Sequence, residues 1–261
     1  MSCAKSLCPH HLKIVKSMID TCKKSDRKLM IAYRMQYEPI NHHIKNLVRN
    51  QTYGKVKMIE ANNGQNQDDP NQWRQKKDLA GGGALPDIGI YCLNTIRAML
   101  GEEPNQVFAT TFSTTGDPRF TEVEENIAFQ LQFPSGIIAF CGAGYGYHKS
   151  RQYSIFAERA WFGMEPAFSY TNLQMQLSVP SGKNKLLQMP TFAPANQFAL
   201  ELDHMADCIA NNKQPHTHTP GEEGLQDQKI MEALYLSAQQ RRPIILSTIT
   251  ALDTTCGPKP V

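Results

Sequence analysis

Several signatures that would assign a chain to a common functional class are missing here. The seven cysteines (Cys3, Cys8, Cys22, Cys92, Cys141, Cys208 and Cys256) include no Cys-x-x-Cys pair, which removes the usual zinc-ribbon and dithiol readings. Their odd number, with Cys141 inside the apolar run Ala139-Phe140-Cys141, suits reduced, structural thiols in a reducing compartment. No G-x-G-x-x-G follows a strand-like segment, so no dinucleotide fingerprint can be read in the chain. Gly142-Ala143-Gly144-Tyr145-Gly146 is glycine-rich but lies among strand-like stretches and opens no helix, the context such a fingerprint requires. His42-His43 and His216-Thr217-His218 lack a third ligand at metal spacing, so no metal site is expected.

Strong charge of one sign is also lacking. The net charge is +3, from 27 Lys and Arg against 24 Asp and Glu, and these residues are scattered. That argues against a nucleic-acid partner. The one dense basic stretch, Lys13 to Lys28, reads as a solvated helix face. No apolar run reaches the ~20 residues of a membrane span, and MSCAKSLCPHH holds no apolar core of signal-peptide length. Neither repeats nor low-complexity segments occur. The cytoplasm is the expected compartment, with the periplasm as the alternative should a signal segment precede this sequence.

What is present suits an ordinary globular chain of 261 residues, 41% hydrophobic and 20% charged, long enough to bury a sizeable core. Leu12, Val15, Ile19 and Cys22 form a helical stripe, and Lys28-Leu29-Met30-Ile31-Ala32-Tyr33 reads as a buried strand. A helix followed by a buried strand has the character of the tail of an α/β unit. Pro39 opens a helix with Ile40, Ile44, Leu47 and Val48 on one face. Lys55 to Ala61 reads as a strand. Pro86 opens a helix that stops before Gly101. Ile127, Phe129, Leu131 and Phe133 then alternate with polar or small residues, and Pro134-Ser135-Gly136 turns the chain into a returning strand, Ile137 to Gly142. Ser154–Ala157, Ala160–Met164 and Leu173–Val179 are further strands. Two helices follow, one carrying Phe198, Leu202, Met205 and Ile209, the other starting at Pro220 and burying Met231, Leu234 and Ala238. The expected fold is α+β: a large, open, mainly antiparallel sheet covered on one face by helices. An uncovered face calls for a partner, so a homodimer or homotetramer through the open sheet is expected.

The chemistry-bearing stretch is Trp73-Arg74 followed by Gly81-Gly82-Gly83-Ala84-Leu85-Pro86-Asp87-Ile88-Gly89-Ile90-Tyr91. Asp87 and Tyr91, four residues apart on a helix, project from one face. The glycines allow close backbone approach. Asp87 can accept from a sugar hydroxyl, and Tyr91 can take or give a proton. The same spacing also suits a surface hydrogen bond, and a triple glycine also suits a mobile loop.

The segment Leu79 to Tyr91 resembles the active-site segment of the Gfo/Idh/MocA oxidoreductase family, most of all its glucose–fructose oxidoreductase branch. Further matching segments follow in order: Lys28 to Arg34, Asn71-Gln72-Trp73-Arg74, Leu100 to Pro104, Asn196-Gln197-Phe198, Asp203-His204 and Pro220 to Gly224. The resemblance implies an oxidoreductase acting on the CH–OH group of a sugar or polyol with NADP(H), or NAD(H). Residues 35–261 would form its substrate and dimerisation domain, and residues 1–34 the remnant helix–strand unit of a Rossmann domain. By residue matching, Asp87 would orient substrate and Tyr91 would exchange the proton. Arg34, Tyr33, Trp73, Arg74, Gly82, Gly83 and His204 would line the sugar site, with Tyr33, Arg34, Trp73 and Arg74 also on the cofactor side.

Two features depart from that pattern. The glycine-rich nucleotide motif is missing, and the family's acidic–Lys–Pro junction is reduced to Ala4-Lys5-Ser6. Lys5 reads either as the catalytic, cofactor-facing lysine or as a charge near a chain end. Leu29, Met30 and Ile31 would lack their usual neighbours and form an apolar patch. The competing reading is a non-catalytic sugar-binding or oligomerisation module derived from such an enzyme.

Overall fold

The computed structural model describes residues 9–215 and 219–247. In chain order the elements are α1 (Pro9–Lys24), α2 (Pro39–Arg49), β1 (Val56–Gly64), the short α3 (Lys77–Ala80) and α4 (Ile90–Leu100). The strands β2 (Gln106–Phe112), β3 (Asn126–Gln132), β4 (Ile138–Gly144), β5 (Ser150–Ala157), β6 (Trp161–Met164), β7 (Met175–Ser181) and β8 (Asn184–Gln188) come next. Two helices, α5 (Gln197–Ala210) and α6 (Gly221–Gln240), and the two-residue β9 (Ile244–Ile245) follow.

The strands form one nine-stranded sheet in the order β8-β7-β6-β5-β1-β4-β3-β2-β9. β1 runs parallel to β4, and the other neighbouring pairs are antiparallel. The alternation read in β3 is what closes its inner face. Ile127, Phe129 and Leu131 pair in register with Ala143, Cys141 and Ala139 of β4, and all six are buried. Each large apolar side chain buried this way contributes roughly 1.5–3 kcal/mol. Against them pack Cys92, Leu93, Ile96 and Met99 of α4, with Ile40, Ile44 and Val48 of α2 in the same core. Glu38 caps α2, its carboxylate accepting from the Asn41 N–H at 2.7 Å. On the other face of the sheet Phe112 and Phe140 are exposed among the described residues. No helix among the described residues is long and apolar enough to cross a membrane.

Three expectations need adjustment. Lys28 to Tyr33 does not join the sheet; it runs extended and bridges only at Met30 to Pro220, with the Ile31 N–H donating to the Thr219 carbonyl. Leu29 and Ile31 do not lack neighbours, because they lie against Gly221 and Gly224 of α6, where a Cβ would crowd them. On α5 the apolar stripe points outward: Leu202 is 68% and Ile209 60% exposed, while Gln197, Glu201 and Cys208 are buried. Periodicity shows that a helix has two faces and not which one finds a neighbour.

Candidate active site

The helix that begins at Ala84 does not start as a regular α-helix. Leu85–Gly89 forms a π-turn before α4, with the Ile90 N–H reaching the Leu85 carbonyl. Pro86 lacks an N–H and suits the first turn; π-turns inside helices occur often at functional sites. Across this turn Asp87 and Tyr91 still line one cavity of about 180 Å³, together with Ala32, Tyr33, Arg34 and Met35. Four of the residues singled out from sequence, Tyr33, Arg34, Asp87 and Tyr91, thus meet at one place.

Asp87 is braced from two sides. Arg74 Nε donates to its Oδ1 at 3.1 Å, and the Tyr145 hydroxyl donates to its Oδ2 at 2.8 Å. Tyr145 is fully buried, and burial, then the Asp87 charge, raises its pKa well above the ordinary phenol value. Its proton therefore stays on the phenol, and Asp87 is held as the accepting partner. Tyr145 was not among the residues picked from sequence. It lies in the glycine-rich stretch after β4, and nothing local ties it to a residue on the glycine-led helix.

Arg34 holds the opposite wall and is only 4% exposed. Its guanidinium donates to Gln197 Oε1 at 2.6 Å, to the Phe168 carbonyl at 2.9 Å and to the Ser169 carbonyl at 3.1 Å. It also lies over the rings of Tyr91, Tyr170 and Phe198, at 5.0, 4.7 and 5.7 Å, a cation–π arrangement. Tyr91 is thus gripped between Arg34 and the Phe168 ring, 5.9 Å away. The Nε of Arg34 is buried without a partner.

The triple glycine approaches the protein itself. A Cβ at Gly82 would overlap the Tyr235 hydroxyl, and one at Gly83 would overlap the Glu124 backbone carbonyl. Glu124 gathers this loop: its carboxylate accepts from Gly83 N at 2.9 Å, Leu85 N at 3.0 Å and the Tyr235 hydroxyl at 2.7 Å. Trp73 is exposed, with the Arg74 guanidinium 4.6 Å over its ring; neither residue lines the cavity, and Arg74 touches it only through its bond to Asp87. His204 is not among the cavity-lining residues. Its ring lies 5.3 Å from Tyr37 and its Nε2 3.6 Å from Cys208 Sγ, and burial lowers its pKa. Lys5, His216 and His218 lie outside the described residues. No cluster of three metal-ligating side chains occurs among the described residues.

Beneath the cavity floor lies a buried charged network. Asn94, which lines the cavity, donates to Asp227 Oδ2 at 2.8 Å and Glu223 Oε1 at 3.0 Å. Arg97 binds Glu223 at 3.0 Å, Glu103 at 2.6 Å and Asp227.

Sites for drug-sized ligands span roughly 300–1,000 Å³, so about 180 Å³ does not take a whole dinucleotide. The glycine-rich cradle for a pyrophosphate is likewise missing from the sequence.

Comparison with known proteins places these residues among relatives. The family model "GFO/IDH/MocA C-terminal domain" matches residues 41–162. D-xylose 1-dehydrogenase [NADP(+)] of Haloarcula marismortui is 31% identical over 235 residues, 88% of this chain and 63% of its own length. D-xylose 1-dehydrogenase (NADP(+)) 2 of Haloferax volcanii is 23% identical, the match spanning 85% of this chain and 66% of that one. The crystal structure of aldose-aldose oxidoreductase from Caulobacter crescentus, complexed with glycerol, superposes with a TM-score of 0.84 at 39% identity. It covers 90% of this chain and 69% of that one. The chain thus spans about two thirds of the length of these relatives.

Proposed function

As the chain belongs to the GFO/IDH/MocA family, we propose that it is the substrate-binding part of an oxidoreductase acting on a CH–OH group of a sugar or polyol. The observation that carries this reading is the meeting of Asp87, Tyr91, Tyr33 and Arg34 in one cavity. Asp87, held by Arg74 and Tyr145, accepts from a sugar hydroxyl. Tyr91, fixed under the Arg34 guanidinium, exchanges the proton of the reacting hydroxyl. Lys5 is the further candidate for that exchange. Arg74 acts by holding Asp87, with Trp73 stacked on its guanidinium, while Gly82 and Gly83 act by letting the loop close on Glu124 and Tyr235. His204 serves packing.

NADP(H) use is proposed from the names of the D-xylose dehydrogenases; such a cofactor would supply the hydride acceptor or donor for the alcohol carbon. The described residues do not fit a whole dinucleotide, so residues 35–261 are read as the substrate domain and residues up to 34 as the end of a nucleotide-binding unit. The sheet face on which Phe112 and Phe140 are exposed is read as the surface joining copies into a homodimer or homotetramer. The function is tested by titrating D-xylose and NADP separately into the chain. Weak, saturable sugar binding without tight NADP binding is the expected result. Tight NADP binding by these residues contradicts the cofactor reading, and absence of sugar binding contradicts the substrate reading.

A further inference from the structure

We propose that Asn94 is a specificity residue: two buried acids tie down its amide nitrogen, so that it meets a ligand only through its carbonyl oxygen and selects a hydroxyl. The inference deepens the functional reading above and rests on the cavity taking a hydroxylated ligand. Asn94 lines the cavity beside Tyr91 and Thr95. An asparagine side chain has two N–H donors and an oxygen with two lone pairs. Both donors are committed inside the protein: Nδ2 donates to Asp227 Oδ2 at 2.8 Å and to Glu223 Oε1 at 3.0 Å. One lone pair of Oδ1 accepts from Gln36 Nε2 at 2.8 Å. The capacity left is the second lone pair of Oδ1. A ligand hydroxyl fills it by donating. An ether oxygen, a carbonyl or a fluorine in its place sets two acceptors face to face, and a site built for a hydroxyl discriminates against such ligands.

The amide can stand only one way round. Turned over, its oxygen would face two carboxylates and its NH2 would face the Gln36 NH2, three repulsive contacts in place of three hydrogen bonds. The partners are themselves held. Glu223, Asp227 and Arg97 are fully buried, and Arg97 binds both acids and Glu103. Gln36 is buried, and its backbone carbonyl is hydrogen-bonded to His42 Nε2 at 2.5 Å. On α4, Asn94 follows Tyr91 by three residues, so the two share a helix face, and a ligand against the Tyr91 phenol lies beside the Asn94 amide. A free asparagine turns its amide to suit a donor or an acceptor; this one does not turn.

The experiment is NMR of the full chain with carbon-13 and nitrogen-15 in its Asn side chains. The probes are D-xylose and analogues in which one hydroxyl at a time is replaced by fluorine, which removes a donor at nearly constant size. Both Asn94 Nδ2 protons should exchange slowly with solvent before any sugar is added. Bound D-xylose should move the Asn94 Cγ resonance, as its oxygen accepts a hydrogen bond. One fluoro analogue should leave that resonance in place and bind about tenfold more weakly than D-xylose. Its penalty should disappear in Asn94→Ala, while analogues lacking a hydroxyl that meets Asp87 or Tyr91 keep theirs. The Cγ reading needs no variant and decides the matter if Asn94→Ala does not fold. Rapid exchange of the Asn94 amide protons, a Cγ resonance indifferent to bound D-xylose, or penalties that are the same in wild type and Asn94→Ala overturn the proposal. Failure of D-xylose and every analogue to bind strikes the functional reading instead, and the amide protons report the locked amide either way.

Discussion

The Tyr145 hydroxyl donates to Asp87 Oδ2 at 2.8 Å from a fully buried position. The two residues are 58 positions apart, and their bond ties the end of β4 to the π-turn that carries the cavity's carboxylate. Tyr145→Phe removes the hydroxyl and keeps the ring. A hydrogen bond to a charged group contributes about 1.5–3 kcal/mol, and part of that returns when Asp87 meets water. D-xylose binding should weaken about tenfold with a stability loss near 1 kcal/mol, read by sugar titration and urea unfolding. Equal affinity would mean that Asp87 needs no brace.

Gly83 faces backbone rather than a movable side chain. A Cβ there overlaps the Glu124 carbonyl oxygen, and overpacking of that kind costs about 1–3 kcal/mol. Gly83→Ala should lower the urea midpoint by this amount and detach the loop from Glu124. Glu124→Gln, which keeps the shape, should cost less. A neutral Gly83→Ala would show that the loop is loosely held.

Arg34→Lys removes the planar fork that reaches Gln197, Phe168 and Ser169. It also weakens the stack on Tyr91, Tyr170 and Phe198. The expected loss is about 3 kcal/mol in urea unfolding, from two or more charge-assisted hydrogen bonds, with Tyr91 freed to move. A loss below about 1 kcal/mol would show that the cage does not depend on guanidinium geometry.

Stability should respond to pH through Glu223. Its pKa in the fold is raised from 4.5 to about 7, chiefly by burial. Between those values the folded chain holds a proton that the unfolded chain has released. This contribution is fully present below the unfolded value and is lost as pH rises through about 7. The change is on the order of 3 kcal/mol, and Asp227 is raised in the same direction. Urea unfolding at several pH values should show the slope in the wild type and its reduction in Glu223→Gln. A slope unchanged by that substitution would place the linkage elsewhere.

Much of the sheet was legible because one buried face leaves a period of two, as in Ile127, Phe129 and Leu131. β8, Asn184–Gln188, was not, since all five residues are exposed and no alternation survives. Lys28 to Tyr33 looked like a strand because it is apolar, yet strands also need a neighbour, and here that neighbour is one bridge to Pro220. In the site, Asp87 and Tyr91 were legible from their spacing and their glycine-led context, and Tyr33 and Arg34 from the family resemblance. Tyr145, Glu124 and Glu223 were not. Each acts across a long stretch of chain, and a single phenol or carboxylate in a sequence carries no mark of the partner it will meet.

The central claim is that Asp87 and Tyr91 grip a polyol in the cavity they line. The most direct test is chemical-shift titration of D-xylose into the chain, beside Asp87→Asn and Tyr91→Phe. The account predicts saturable shifts at residues around the cavity, with affinity reduced at least about tenfold in Asp87→Asn, the cost of one charge-assisted hydrogen bond. Shifts confined to other surfaces, or the same affinity in all three proteins, would contradict it.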